Sequence, residues 1–444
     1  MRQIRKASAL AGAAGLALAL AACTSTTTVI KYGAGSPGAS ASGGSASGAS
    51  AAAKPSPSPT GPAVTITPGG GVKSADPAAG ITVTAAGGTL KSVKVATAGD
   101  PVTGAYNAGR TAWHSALTLD VAQSYTVTAV AAAANGVSTT KTSQFRTLTP
   151  ASTFAAVIFE GENETYGVGM PIILTFSHPI SNSDKAAVER SIELTTSKRV
   201  VGAWYWDGNS TLDFRPRDFW PANTTVSFTG RFNGVQGAPG VYGDHTLTQT
   251  FDIGQSVIAV ASTQTHRTQI YIDGKLKYNW PISTGRDTLP TPDGSYLTVD
   301  KNNPVRMIGG TKGTASYYNE LVNWAVRFTY SGDYYHSAPW SVVDQGTTNV
   351  SHGCVNLPPA AAETYYKLAV PGDPITITGS PRPGTWDNGW TEWFLTWNQL
   401  LAGSALHEAV VAGPQGSSFV NPSTLRPNTA KAPLGTAMSG NNLD

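Results

Sequence analysis

From about residue 62 to residue 253 the chain is a succession of short β-prone runs cut by Gly, Asn and Pro turns. Ile81-Thr82-Val83-Thr84, 92–96, 116–119 and 125–131 lie in the first half, and 172–177, 201–206, 211–215 and 224–228 in the second. Runs this short are below ordinary helix length, and at this spacing they predict β-sandwiches. We place one sandwich over 62–149 and a second over 150–253. Neither half holds a cysteine pair, so both are immunoglobulin-like in architecture only. Trp204, Trp206 and Trp220 fall in the second. They could form a sugar platform, but core and interdomain packing is the commoner fate and is expected here.

The N-terminal segment is an address rather than a fold element. Residues 1–22 place Arg2, Arg5 and Lys6 before an Ala-rich apolar run, 7–22, that is too short to span a bilayer. The run ends in Leu20-Ala21-Ala22-Cys23, which resembles a bacterial lipobox. That implies lipidation at Cys23, export, and a lipid anchor in the cell membrane facing the wall. Residues 23–61 are mostly Ser, Thr, Gly, Ala and Pro, with only Lys31 and Lys54 charged. Such a segment cannot bury a core and reads as a flexible tether. Without the three basic residues of the leader, acidic and basic side chains balance at 27 each. No basic footprint is left for a nucleic acid, nor for binding a membrane surface by charge.

A third module, 254–379, is punctuated differently. Residues 256–261 and 269–272 read as paired strands, and 277–282 returns after the hairpin signal Asp273-Gly274. A rigid loop, Thr288 to Tyr296, enters another strand, and 374–378 is the last. The clearest helix is Pro359 to Leu368. Beyond it, residues 380–410 are Trp-rich. Trp386, Trp390, Trp393, Trp397 and Leu400 follow helical steps, and this stripe is expected to pack on a neighbouring domain. Residues 411–444, biased to Pro, Gly, Ser and Asn, are expected to be disordered.

Once Cys23 is set aside, one cysteine remains, in Ser351-His352-Gly353-Cys354-Val355-Asn356. A lone exported thiol is unusual, since exported cysteines normally pair. A buried structural cysteine is the bland alternative. Against it, Gly353 frees the backbone for close approach, polar His352 and Asn356 flank the thiol, and His336 stands eighteen residues upstream. An imidazole beside a thiol supplies the base a nucleophile needs. His336, His352 and Cys354 could also ligate zinc. No H-E-x-x-H or paired cysteines support that, so no metal or other cofactor is expected.

His336, fourteen residues, then Ser351-His352-Gly353-Cys354-Val355-Asn356 closely resembles the signature of the L,D-transpeptidase family. His336-Ser337-Ala338-Pro339-Trp340-Ser341 and Thr291-Pro292-Asp293-Gly294 resemble its actinobacterial branch, as do the sandwiches, the lipobox and the Trp-rich tail. The chain departs from the family's pattern over 307–318, a Gly-rich stretch shorter than the lid of better-known relatives.

The resemblance implies a mainly β fold, with two immunoglobulin-like sandwiches before the catalytic domain. It implies cysteine acyl transfer on peptidoglycan stem peptides: a tetrapeptide donor loses D-Ala, and an acceptor amine completes a 3→3 cross-link. Cys354 would be the nucleophile and His336 the base, with the Ser337 carbonyl holding the other ring nitrogen. Gly353 and Cys354 N–H groups would bind the oxyanion, with the Tyr318 hydroxyl as a further candidate. Ser351, His352, Asn356 and Trp340 would line the substrate site. Carbapenems are the implied β-lactam inhibitors. An L,D-carboxypeptidase on the same fold and a non-catalytic wall-binding lipoprotein are the alternatives.

Overall fold

A computed structural model describes residues 60–314 and 317–425. The leader, Cys23 and the tether lie outside them.

The first sandwich packs a four-stranded sheet (Ala63–Thr67, Thr82–Ala86, Ala112–Ser115, Gly104–Tyr106) on a three-stranded one (Thr89–Ala96, Ser124–Ala132, Ser138–Arg146). Tyr125, Val127, Ala129 and Ala131 are buried at every second position, the period a half-buried strand requires. The run expected at 116–119 is not a strand; pairing ends at Ser115. Leu119 is still buried, held in a loop by its N–H on the Pro77 carbonyl. An apolar side chain there reports burial, not strand geometry.

The second sandwich centres on a ten-stranded sheet, with a three-stranded sheet beside it. Trp204, Trp206 and Trp220 are nearly fully buried in its core. Two of them have their indole N–H groups satisfied inside: Trp206 on Glu189 Oε1 at 2.8 Å and Trp220 on the Met170 carbonyl at 2.6 Å. They are packing residues, with no face left for a sugar.

Two expectations about the C-terminal region need correction. The Trp-rich stretch is not one helix: it forms a 3-10 turn at Glu392–Phe394 and a short helix at Trp397–Ala402. Leu395 between them is extended, and a capping box of Thr396 and Gln399 starts the helix afresh. Trp390 and Trp393 are nonetheless buried in the second sandwich's core, with the Trp393 ring 4.4 Å from Phe219. Residues 411–425, expected to be disordered, are ordered. Ala409–Gly413 inserts between Ile192–Thr196 and Val200–Asp207, and Gly416–Val420 folds back on it. The backbone groups of the neighbouring strands supply what composition does not: a ladder to pair with. Residues 426–444 lie outside the described residues.

The third module contains a five-stranded sheet ordered Lys275–Pro281, Arg267–Ile272, Val257–Ser262, Pro374–Thr378, Gly294–Leu297. Asp273 and Gly274 both have positive φ, 48° and 74°, as a tight hairpin turn needs. A four-stranded sheet follows, ordered Asp300–Asn302, Ala325–Arg327, Tyr334–Ser337, Val355–Leu357. The helix Pro359–Leu368 shares their core through Ala361, Ala362 and Tyr365. A two-stranded hairpin, Val305–Gly309 with Tyr318–Val322, projects over the end of the four-stranded sheet that carries the histidine.

Candidate active site

His336 lies on the strand Tyr334–Ser337, which runs parallel to Val355–Leu357 with Tyr335 opposite Val355 and His336 opposite Asn356. Continuing that register by one residue puts Cys354 across from Tyr334. Cys354 sits in the bend just before Val355–Leu357, and its thiol and the His336 ring reach the same space. Both open into a cavity of about 380 Å³ that Met307, Tyr318, Val322, Trp340 and His352 also line. That is the size of a small-ligand site.

The loop bearing Cys354 is pinned on both sides. Ser351 bridges to Gly285, and Asn356 to Ser283. The Ser351 hydroxyl donates to the Cys354 carbonyl at 2.6 Å and accepts the Gly353 N–H at 3.1 Å. Thr291 donates to the Gly353 carbonyl at 2.7 Å while accepting the Gly285 N–H at 2.9 Å. The Asn356 amide donates to Ser341 Oγ at 3.0 Å from a buried position. Ser351 and Asn356 thus shape the loop. The Gly353 N–H, expected to serve an oxyanion, is donated to the Ser351 hydroxyl in this structure.

His336 is 4% exposed, and its Nδ1 lies 2.9 Å from the Ser337 carbonyl. A carbonyl only accepts, so Nδ1 carries the proton and Nε2 is left as the basic nitrogen. Burial lowers the imidazole pKa to about 4, and the Ser337 hydrogen bond opposes that only in part. Cys354 is a free thiol, half-buried, with its sulfur 3.9 Å from the Gly332 carbonyl. Desolvation pushes the thiol up to about 12; the Asp333 charge adds to the rise and a hydrogen bond with the Tyr334 backbone opposes it. The resting pair is therefore neutral thiol and neutral imidazole.

Around them, the Tyr318 ring packs on His352 at 4.5 Å between centroids, and Trp340 stands 6.0 Å from His336 at an exposed rim. Burial raises the Tyr318 phenol first, then the charge Cys354 would carry on ionising and the Asp333 carboxylate, and the phenol stays a hydrogen-bond donor. His352 is lowered by burial and by Arg286. Among the described residues no three His, Cys, Asp or Glu side chains gather to hold a metal ion, and His336, His352 and Cys354 do not form such a group.

Two residues escaped sequence reasoning. Asp333, 7% exposed, accepts from Thr329 Oγ1 at 2.8 Å and Ser331 Oγ at 3.1 Å, and its other oxygen lies against Gly353. Thr291 is fully buried and holds the Gly353 carbonyl. Asp333 stands three residues before His336, where spacing alone gave no signal. Thr291 stood in a recognised motif without a role.

The arrangement is a thiol and a tautomer-fixed imidazole at one cavity by a rigid sheet end, under a hairpin. A thiol beside an imidazole has the groups that acyl transfer needs. A family model described as the L,D-transpeptidase catalytic domain matches residues 256–377, and a bacterial Ig domain model matches 72–236. L,D-transpeptidase 2 of Mycobacterium tuberculosis is 33% identical over 333 residues, covering 73% of this chain and 80% of that protein. L,D-transpeptidase 5 of the same species is 32% identical over 355 residues, covering 78% and 77%. A solved L,D-transpeptidase in complex with imipenem is 35% identical, covering 52% of this chain and all of that one, with a TM-score of 0.44. This chain belongs to the L,D-transpeptidase family. By that membership it is a transpeptidase.

Proposed function

We propose that the protein forms 3→3 cross-links in peptidoglycan through a thioester on Cys354. The observation that carries this is the His336 hydrogen bond to the Ser337 carbonyl, which leaves Nε2 as the basic nitrogen at the cavity that Cys354 also lines. Because the thiol rests neutral, the proton leaves sulfur as the bond to carbon forms. Cys354 Sγ attacks the carbonyl between the third residue of a tetrapeptide stem and its terminal D-Ala, and His336 Nε2 takes the thiol proton. As the tetrahedral intermediate collapses, the imidazolium gives that proton to the departing D-Ala amine. An acceptor stem's amine then attacks the thioester, loses its proton to His336, and the thiol is restored. The oxyanion has the Cys354 N–H and the Tyr318 hydroxyl as donors, since the Gly353 N–H is engaged by Ser351.

A strained β-lactam carbonyl can take the scissile carbonyl's place, so carbapenem acylation at Cys354 belongs to the same reading. So does attachment to the membrane through lipid on Cys23, from which the tether would let the catalytic module reach the wall. Labelled fatty acid entering the wild type and not Cys23→Ala tests that attachment.

The deciding experiment incubates purified protein with a disaccharide-tetrapeptide and analyses products by mass spectrometry. Cross-linked dimer is expected. Tripeptide alone would make the protein a carboxypeptidase, and no product would leave only wall binding. Cys354→Ala should remain folded by circular dichroism, lose all turnover and take up no carbapenem.

A further inference from the structure

The hairpin over the thiol has two faces of different character. On the strand Tyr318–Val322, the alternate residues Tyr318, Glu320 and Val322 all line the cavity that Cys354 lines, as one face of a strand must. Met307, across the register from Glu320, lines it too. The residues between them belong to the other face. Asn319 and Leu321 are exposed, and Arg306 donates from its guanidinium to Asn319 Oδ1 at 2.8 Å. The two strands thus turn their arginine outward and a carboxylate toward the thiol.

That carboxylate is the one charge in the cavity wall. Among the described residues no Lys, Arg or Asp lines the cavity. The imidazoles of His336 and His352 are both lowered by burial, with Arg286 a lesser cause at His352, so neither brings a positive charge near neutral pH. Among the described residues Glu320 makes no hydrogen bond and no ion pair. It also stands close to the chemistry. Two residues of strand rise separate it from Tyr318 by about 7 Å along the backbone, and Tyr318 is near enough to the thiol for a charge on Cys354 to act on its phenol.

We propose that Glu320 receives the side-chain ammonium of the acceptor stem and holds it beside the thioester, so that the amine rather than water resolves the acyl-enzyme. This rests on the reading that a stem peptide acylates Cys354. An unpaired carboxylate in an otherwise uncharged wall draws in a cation, and the acceptor's amine is the cationic group that the second half-reaction introduces. The bound ammonium gives one proton to solvent water. The free amine attacks the thioester carbon and passes a second proton to His336 Nε2. As the C–N bond forms, the C–S bond breaks, and His336 returns that proton to sulfur. Glu320 positions the acceptor and takes no part in these proton transfers.

The test is a competition for one pool of acyl-enzyme. A tetrapeptide stem, serving as donor and acceptor, is incubated with the protein and hydroxylamine. The stem's side amine is an ammonium near neutral pH, whereas hydroxylamine is uncharged there. Mass spectrometry reads the initial ratio of cross-linked dimer to hydroxamate, which is independent of how fast the thioester forms. In Glu320→Gln the ratio should fall about fivefold, the scale of one exposed ion pair. Glu320→Asp, which keeps the charge, should retain part of it. Salt at about 1 M should bring the wild-type ratio toward that of Glu320→Gln and move the variant little. Equal ratios in wild type and Glu320→Gln overturn the proposal, and so they do if both products fall together because the carboxylate serves the donor. Hydroxamate without dimer from the wild type overturns it too and leaves the thioester standing. Neither product from the wild type sinks the thioester reading and the proposal with it.

Discussion

The carboxylate of Asp333 occupies the space that a Cβ on Gly353 would need, and Gly353 holds φ at +135°. Contact and backbone conformation both demand glycine at the position before Cys354. Gly353→Ala should displace the Cys354 loop and cut kcat by about 100-fold, the scale of a misplacement near 1 Å. Adding Asp333→Ala removes the collision but not the φ strain, so rescue should be partial. Steady-state kinetics on the single and double variants check this; full activity in Gly353→Ala would mean the loop tolerates the shift.

The neutral resting pair sets the pH profile. His336 accepts a proton only when unprotonated, and its pKa is lowered to about 4, so acylation should fall as pH drops through that value. Cys354, pushed up to about 12, does not ionise by itself up to pH 9. Between about pH 6 and 9 the carbapenem acylation rate, followed by stopped-flow, should be flat. A resting thiolate–imidazolium pair would instead give a bell within that window, and iodoacetamide would label the thiol rapidly near neutrality.

The C-terminal strand is part of the second sandwich. Deleting from residue 409 onward removes Ala409–Gly413 from between two strands that are consecutive in sequence and leaves their inner edges unpaired. Thermal stability should drop, and amides of 192–207 should exchange faster. Deletion from 426 onward is the control for shortening alone. Unchanged exchange in the longer deletion would show that the two flanking strands close the gap by themselves.

Glu160 is fully buried under the Trp-rich segment, with Oε2 accepting the Ile173 N–H at 3.3 Å and Oε1 unpaired. Burial raises its carboxyl to about 8, with the Glu392 charge a lesser cause. A raised folded-state pKa means the fold holds the proton more tightly than the unfolded chain. That stability is complete below the ordinary value of 4.5 and fades as pH rises through about 8. Melting scans at pH 5 and pH 8 should show a smaller difference in Glu160→Gln than in the wild type. An equal difference would place the pH sensitivity elsewhere.

Much of this molecule is local information. The alternation in 125–131, the Asp273-Gly274 turn and the helix from Pro359 to Leu368 are set by nearest neighbours in the chain, so their pattern is readable in one dimension. The spacing of His336 and Ser351–Asn356 likewise carries the family resemblance, because the residue types and their intervals are written along the chain. What the chain could not disclose depends on segments far apart in sequence. Residues 411–413 look like tail until a sheet about 200 residues earlier offers them hydrogen bonds. The Gly353 N–H reads as an oxyanion donor until folding turns it to the Ser351 hydroxyl. Asp333 has no motif and Thr291 has one without a role, yet tertiary packing sets the first against Gly353 and hydrogen-bonds the second to it. Local propensity and residue type are properties of the string; hydrogen-bond partners, desolvation and the shifts they impose on Cys354 and His336 exist only once distant strands share a face.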